Sequence, residues 1–148
     1  MNDLTLSCDV RSRVDVLSFC AQVRRVADGC GLDPRQSGEL LLVVAELGTN
    51  AVLHGRGGVV TVALSHLEWE VSASDIGPGF TPAVLADAGK SDRLGAAGVR
   101  LPADGGRSFG SGLAAVRRLS SSITLQNSSR GARAVAAKHF TKSQGAVS

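Results

Sequence analysis

Hydrophobic and polar positions alternate along this chain in blocks of two different periods. LTLSCDV, residues 4–10, alternates as a short strand does. In the stretch that follows, Ser12 is placed to cap a helix, with Asp15 three residues on. Val14, Leu17 and Ala21 then fall on one helical face, and Gly29 and Gly31 end the element. Asp33 caps a second helix with Pro34 at its first position; its core stripe is Leu40, Val44, Leu47 and Ala51, and it ends at Gly55. Residues 58–75 read as a hairpin turning near His66–Glu68. In its second strand Trp69, Val71 and Ala73 share a face, so by the period of two Asp75 ends the row that points into the core.

Thr81 and Pro82 open a short helix over TPAVLADAG. Residues 89–109 are rich in glycine and show no period, a length of loop rarely kept without a use. GSGLAAVRRLS then starts a helix directly out of glycines, and residues 122–140 close the chain as two strands around Ser128–Gly131. Strands arrive in antiparallel pairs with helices available to cover one face. The expected fold is an α/β two-layer sandwich, its sheet mixed but mainly antiparallel, with helices on one face. One domain over residues 1–140 is expected, with a frayed tail over 141–148.

Composition narrows the function classes. Hydrophobic residues make up 43% and charged residues 20%, as in ordinary globular domains, whereas aromatics are only 3%, so Val, Leu and Ala must build the core. No apolar run approaches the roughly 20 residues of a membrane span, and the N-terminus lacks a signal-peptide profile. A cytoplasmic protein is expected. The net charge of +3 is spread without an aromatic platform, which counts against nucleic acid and suits an acidic partner or a phosphate ligand. Cys8, Cys20 and Cys30 are odd in number and lack metal-binding spacing, so they read as small buried apolar residues.

Three places carry candidate chemistry. Glu46 and Asn50 stand four apart on one line of the second helix, with Glu39 two turns earlier on roughly the same line. A carboxylate amid Leu and Val needs water, a cation or a partner, although a solvated helix edge would give the same spacing. In DIGPGF, Asp75 can accept a hydrogen bond from an amino group, and Gly77 and Gly79 permit a sharp turn and the approach of a flat ligand. In GRSFGSGL, glycines lead into a helix whose free N–H groups suit phosphate. Each signal alone also fits a plain turn or loop.

Taken in order, VVAELGTNAVLHGRGG, SDIGPGF and DGGRSFGSGLAAVRRL resemble the GHKL ATPase superfamily, and within it the small serine kinases and anti-sigma factors of bacterial partner-switching modules. The likeness covers about residues 4–140. It implies ATP and Mg2+ as ligands, with Glu46 activating the attacking hydroxyl and Asn50 coordinating the magnesium. Asp75 would read the adenine amino group, while Gly77 and Gly79 shape the adenine pocket. Gly110, Ser111, Gly112 and Leu113 would supply phosphate-holding amides, and residues 89–109 the ATP lid. Arg107 and Lys90 are candidate phosphate contacts on charge alone. The implied activity is a serine/threonine-protein kinase of stress signalling whose substrate is a STAS-domain antagonist. The alternative is an anti-sigma factor or phosphatase-activating module gated by nucleotide. A sigma factor, a PP2C-type phosphatase and a second copy of the chain are therefore further candidate partners. One departure stands out: where the family carries Gly-Thr in the last hairpin, this chain has Gly131 and Ala132.

Overall fold

The computed structural model describes residues 3–88 and 110–140. The expected lid over 89–109, with Lys90 and Arg107, and the tail over 141–148 lie outside the described residues. In chain order the elements are β1 (Leu4–Val10), α1 (Arg13–Gly29), α2 (Pro34–Gly55), β2 (Gly58–Leu64), β3 (Glu68–Asp75), α3 (Pro82–Ala88), α4 (Gly110–Leu119), β4 (Ser122–Asn127) and β5 (Ala132–His139). The strands form one sheet in the order β1-β2-β3-β5-β4. All of these pairings are antiparallel, so the sheet is more uniform than the mixed one expected.

Local chemistry sets the helix starts. The Ser12 Oγ accepts from Asp15 N at 3.3 Å, and the Asp15 carboxylate accepts in return from Ser12 N at 3.2 Å. Asp33 and Gln36 make the same reciprocal pair at the start of α2, at 2.8 and 3.0 Å, with Pro34 at the first position. Two orphan donors are satisfied at each end, an arrangement worth about 1 kcal/mol per cap. Helix α2 stops where Arg56 takes a left-handed conformation at φ 62°.

Helices α1, α2 and α4 pack on the sheet through side chains of small and medium size. The core stripe expected on α2 is observed: Leu40, Val44, Leu47 and Ala51 are all buried. Trp69, Val71 and Ala73 face them from β3. The face expected on α1 is not the buried one. Val14 and Leu17 are 69% and 66% exposed, Ala21 is exposed, and Val16, Phe19, Val23 and Ala27 go into the core instead. Both sets have helical spacing. The larger Phe19 and the close fit of Val16 against Gly48 of α2 decide the rotation; a Cβ on Gly48 would lie 3.1 Å from Val16 Cγ1. Cys8, Cys20 and Cys30 are free and half-buried rather than fully buried, each packed at the margin of the core. Among the described residues no helix is long and apolar enough to cross a membrane.

Candidate functional site

Helix α2 supplies one wall of the site. Glu46 and Asn50 are half-buried on the side of α2 away from α1. Glu46 is turned to α4: a Cβ built on Gly112 would collide with Glu46 Oε1, so the carboxylate lies directly against the first turns of that helix. None of the described residues forms a hydrogen bond or ion pair with it. A glycine at 112 is what allows this approach, and it brings the carboxylate near the positive end of the α4 dipole.

Strand β3 supplies the opposite wall. Its alternation delivers Asp75 at the inner end of the row Trp69, Val71, Ala73. Asp75 Oδ1 accepts two main-chain hydrogen bonds, from Gly77 N at 2.8 Å and from Ala132 N at 3.2 Å. Oδ2 has no hydrogen-bond partner among the described residues. Gly55 and Gly131 make room for this carboxylate and its backbone, and Gly77 for the turn that follows. A Cβ on Gly55 would overlap the Asp75 carboxylate, and one on Gly131 would overlap the Asp75 carbonyl oxygen. One on Gly77 would stand 2.7 Å from the His54 carbonyl oxygen. Gly77 is thus packed on the end of α2 and does not line the cavity described below, whereas Gly79, at φ 93°, does line it.

The short strap from Asp75 to Thr81 closes the site. Its far end is tied by Asn127, the last residue of β4. Phe80 N donates to Asn127 Oδ1 at 2.8 Å, and Asn127 Nδ2 donates to Phe80 O at 3.0 Å. Thr81 then caps α3, its hydroxyl accepting from Val84 N at 3.2 Å. Sequence reasoning did not find Asn127; the residue sits 47 positions from Phe80, and an Asn before a turn reads as turn chemistry.

Between these walls lies a cavity of about 690 Å3. It brings together Asn50, Asp75, Gly79 and Leu113 of the residues singled out in the sequence, and adds His54, Phe80, Thr81 and Ala132. Glu46 and Gly112 meet one turn of α2 away from Asn50. Gly110 and Ser111 form the start of α4, next to that meeting point. The size falls within the roughly 300–1,000 Å3 of small-molecule sites, and the make-up, apolar walls with a few polar atoms, is what such sites need. An acceptor oxygen left over on Asp75 fits the amino group of a purine. No group of three or more His, Cys, Asp or Glu able to hold a metal occurs among the described residues. A magnesium ion carried in by phosphates fits this donor set, because it keeps most of its water and needs few protein ligands; Asn50 offers one carboxamide oxygen.

Residues 11–138 match the family of the histidine kinase-like ATPase domain. Among solved structures, the fold is similar to the SiaB–SiaC complex from Pseudomonas aeruginosa, with a TM-score of 0.64 and 16% identity over 93% of this chain and 88% of that one. It is also similar to the RsbU and RsbW domains of Rv1364c from Mycobacterium tuberculosis, with a TM-score of 0.61 and 19% identity over 94% of this chain. The matched region spans 32% of that longer chain. A search of curated proteins gives no match.

Proposed function

The chain belongs to the histidine kinase-like ATPase domain family, and on that premise we propose that it is an ATP-dependent serine/threonine-protein kinase of a partner-switching module. Its substrate is a hydroxyl on a small STAS-domain antagonist protein in the cytoplasm. The observation that carries the reading is Asp75: the residue lines an apolar cavity, one of its carboxylate oxygens is occupied by two main-chain amides, and the other has no hydrogen-bond partner among the described residues.

The residues divide the work as follows. Asp75 Oδ2 accepts from the adenine amino group, with Gly77 holding the strap against α2 and Gly79 turning it along the base. Asn50 gives its carboxamide oxygen to magnesium. The amides of Gly110, Ser111, Gly112 and Leu113 hold phosphate oxygens at the start of α4. Arg107 is assigned to phosphate on charge alone. MgATP, when bound, would supply the γ-phosphoryl group and leave as ADP on cleavage of the β,γ phosphoanhydride bond, with the metal offsetting phosphate charge. Glu46 takes the proton of the acceptor hydroxyl; positioning and charge account for the rest. A phosphorylated antagonist gains close to two negative charges at the interface and is released.

A protein partner is supported by the SiaB–SiaC complex and by the chain that joins RsbU and RsbW domains, part of whose fold this chain shares. The candidates beyond the antagonist are a sigma factor, a PP2C-type phosphatase and a second copy of the chain. The second reading is a binding module that nucleotide gates without transfer; Ala132 favours a third, a catalytically dead scaffold. A missing hydroxyl contact weakens nucleotide by about 1 kcal/mol.

The experiment is transfer of labelled γ-phosphate to the co-purified antagonist, by the parent and by Glu46→Gln. Loss of a positioned base lowers the rate by roughly 10²–10⁴, while ADP affinity stays unchanged. Undiminished transfer removes Glu46 from the mechanism. No transfer by the parent, with a stable nucleotide-dependent complex, establishes the binding module instead.

A further inference from the structure

The strap from Asp75 to Phe80 is held at both ends by one rung of the last hairpin. Asn127 and Ala132 are the final cross-strand pair of β4 and β5. The main-chain amide of Ala132 fixes the start of the strap through Asp75 Oδ1, at 3.2 Å. The side chain of Asn127 fixes its end by bonding both polar groups of the Phe80 main chain, at 2.8 and 3.0 Å. A carboxamide used this way copies a peptide group in a β-bridge. It accepts and donates at once, which neither a carboxylate nor a hydroxyl can do in the same geometry. Gly79 is matched to it: a Cβ there would lie 2.7 Å from Asn127 Oδ1, and the φ of 93° disfavours any other residue.

We infer that Asn127 is a positioning residue of the nucleotide site, setting the cavity wall formed by Gly79 and Phe80 before the ligand arrives. The inference rests on the nucleotide reading of that cavity. Its physical content is preorganisation: a strap already fixed at both ends loses little freedom on binding. In this chain Ala132 lacks the hydroxyl of the family pattern, and a wall set in advance offsets part of that missing contact. Asn127 stands on the outside of the strap and is exposed, so its effect reaches the ligand through Phe80 and Gly79.

The effect is confined to the base side of the site. Asn127→Ala therefore weakens adenosine and ADP by the same factor, about tenfold for two lost hydrogen bonds, and the factor does not depend on magnesium. Asn127→Asp keeps the size and the acceptor for Phe80 N–H but sets an oxygen against the Phe80 carbonyl. It shows the same loss and guards against a folding defect of the alanine variant. Titration calorimetry of both variants with adenosine and ADP, with and without Mg2+, reads the affinities. Amide exchange of the ligand-free protein reads the clamp itself, with faster exchange at Phe80 and unchanged exchange at Ala132. Unchanged affinities despite faster Phe80 exchange overturn the inference, as does a loss confined to ADP. A parent protein that binds neither adenosine nor ADP overturns the nucleotide reading and the role of Asn127 with it. The Phe80 exchange rate still tells that case apart from a clamp that never formed.

Discussion

Replacing Asp75 by Asn tests the site at the atom on which the reading turns. Oδ1 of Asp75 accepts from Gly77 N and Ala132 N. An asparagine therefore has one acceptable orientation, because turning its NH2 to that side would set three donors against one another. Its Oδ1 keeps both amides, and Nδ2 takes the place of the Asp75 Oδ2. The folded state loses little, an effect within about 0.5 kcal/mol, or roughly 1–2 °C in the unfolding midpoint. The ligand loses much more. An acceptor carrying charge becomes a donor facing the donor amino group of adenine, which removes about 1.5–3 kcal/mol, a weakening of roughly 10- to 150-fold. Titration calorimetry with ADP on parent and variant, paired with thermal unfolding, separates the two effects. An Asp75→Asn protein that folds normally and binds ADP as tightly as the parent refutes the assignment of Asp75 to the base. One that no longer folds refutes the orientation argument.

Gly55→Ala drives a methyl group into the Asp75 carboxylate; it should destabilise by about 1–3 kcal/mol in denaturant titration and abolish measurable ADP binding. On α1, Phe19→Ala should cost about 3–5 kcal/mol, whereas Leu17→Lys should stay within about 0.5 kcal/mol, the reverse of what the Val14–Leu17–Ala21 face implies. Burial raises the Cys20 thiol above its ordinary value of 9.0, so less thiolate is present at every pH below that range. Alkylation of Cys20 should then be slower at pH 8 than that of a free model thiol, and its rate should keep rising with pH after that of the model thiol has levelled off, read by peptide mass spectrometry.

The helix ends, the strands and the turns were legible because each rests on local chemistry. Ser12 with Asp15, Asp33 with Pro34, and the turn before Gly131 act within four residues of themselves. The α1 face was not legible, because Val14, Leu17, Ala21 and Val16, Phe19, Val23 fit the helical period equally well. What separates them is the neighbour: Gly48 on α2 admits Val16, and that is a fact about two helices. Helix α2 escaped the ambiguity because the stripe Leu40, Val44, Leu47 and Ala51 is bordered along one edge by Glu39, Glu46 and Asn50, so polarity marked its rotation.

The same boundary runs through the site. Asp75, Gly79 and Asn50 could be picked out because each announces a conflict with its surroundings, a carboxylate closing an apolar row or a glycine where a strand should turn. The structure then brings all three to one cavity. Gly55 and Gly112 carry no such mark in the sequence. One reads as a helix stop and the other as part of a glycine-rich start, yet each is required by a carboxylate that would otherwise meet a Cβ: Asp75 for Gly55, Glu46 for Gly112. Asn127 is hidden more deeply still, because its two bonds go to the main chain of Phe80, and main-chain partners leave no complementary residue type to look for. A site assembled from close approaches and main-chain bonds therefore shows its charged groups in the sequence and conceals the residues that hold them in place.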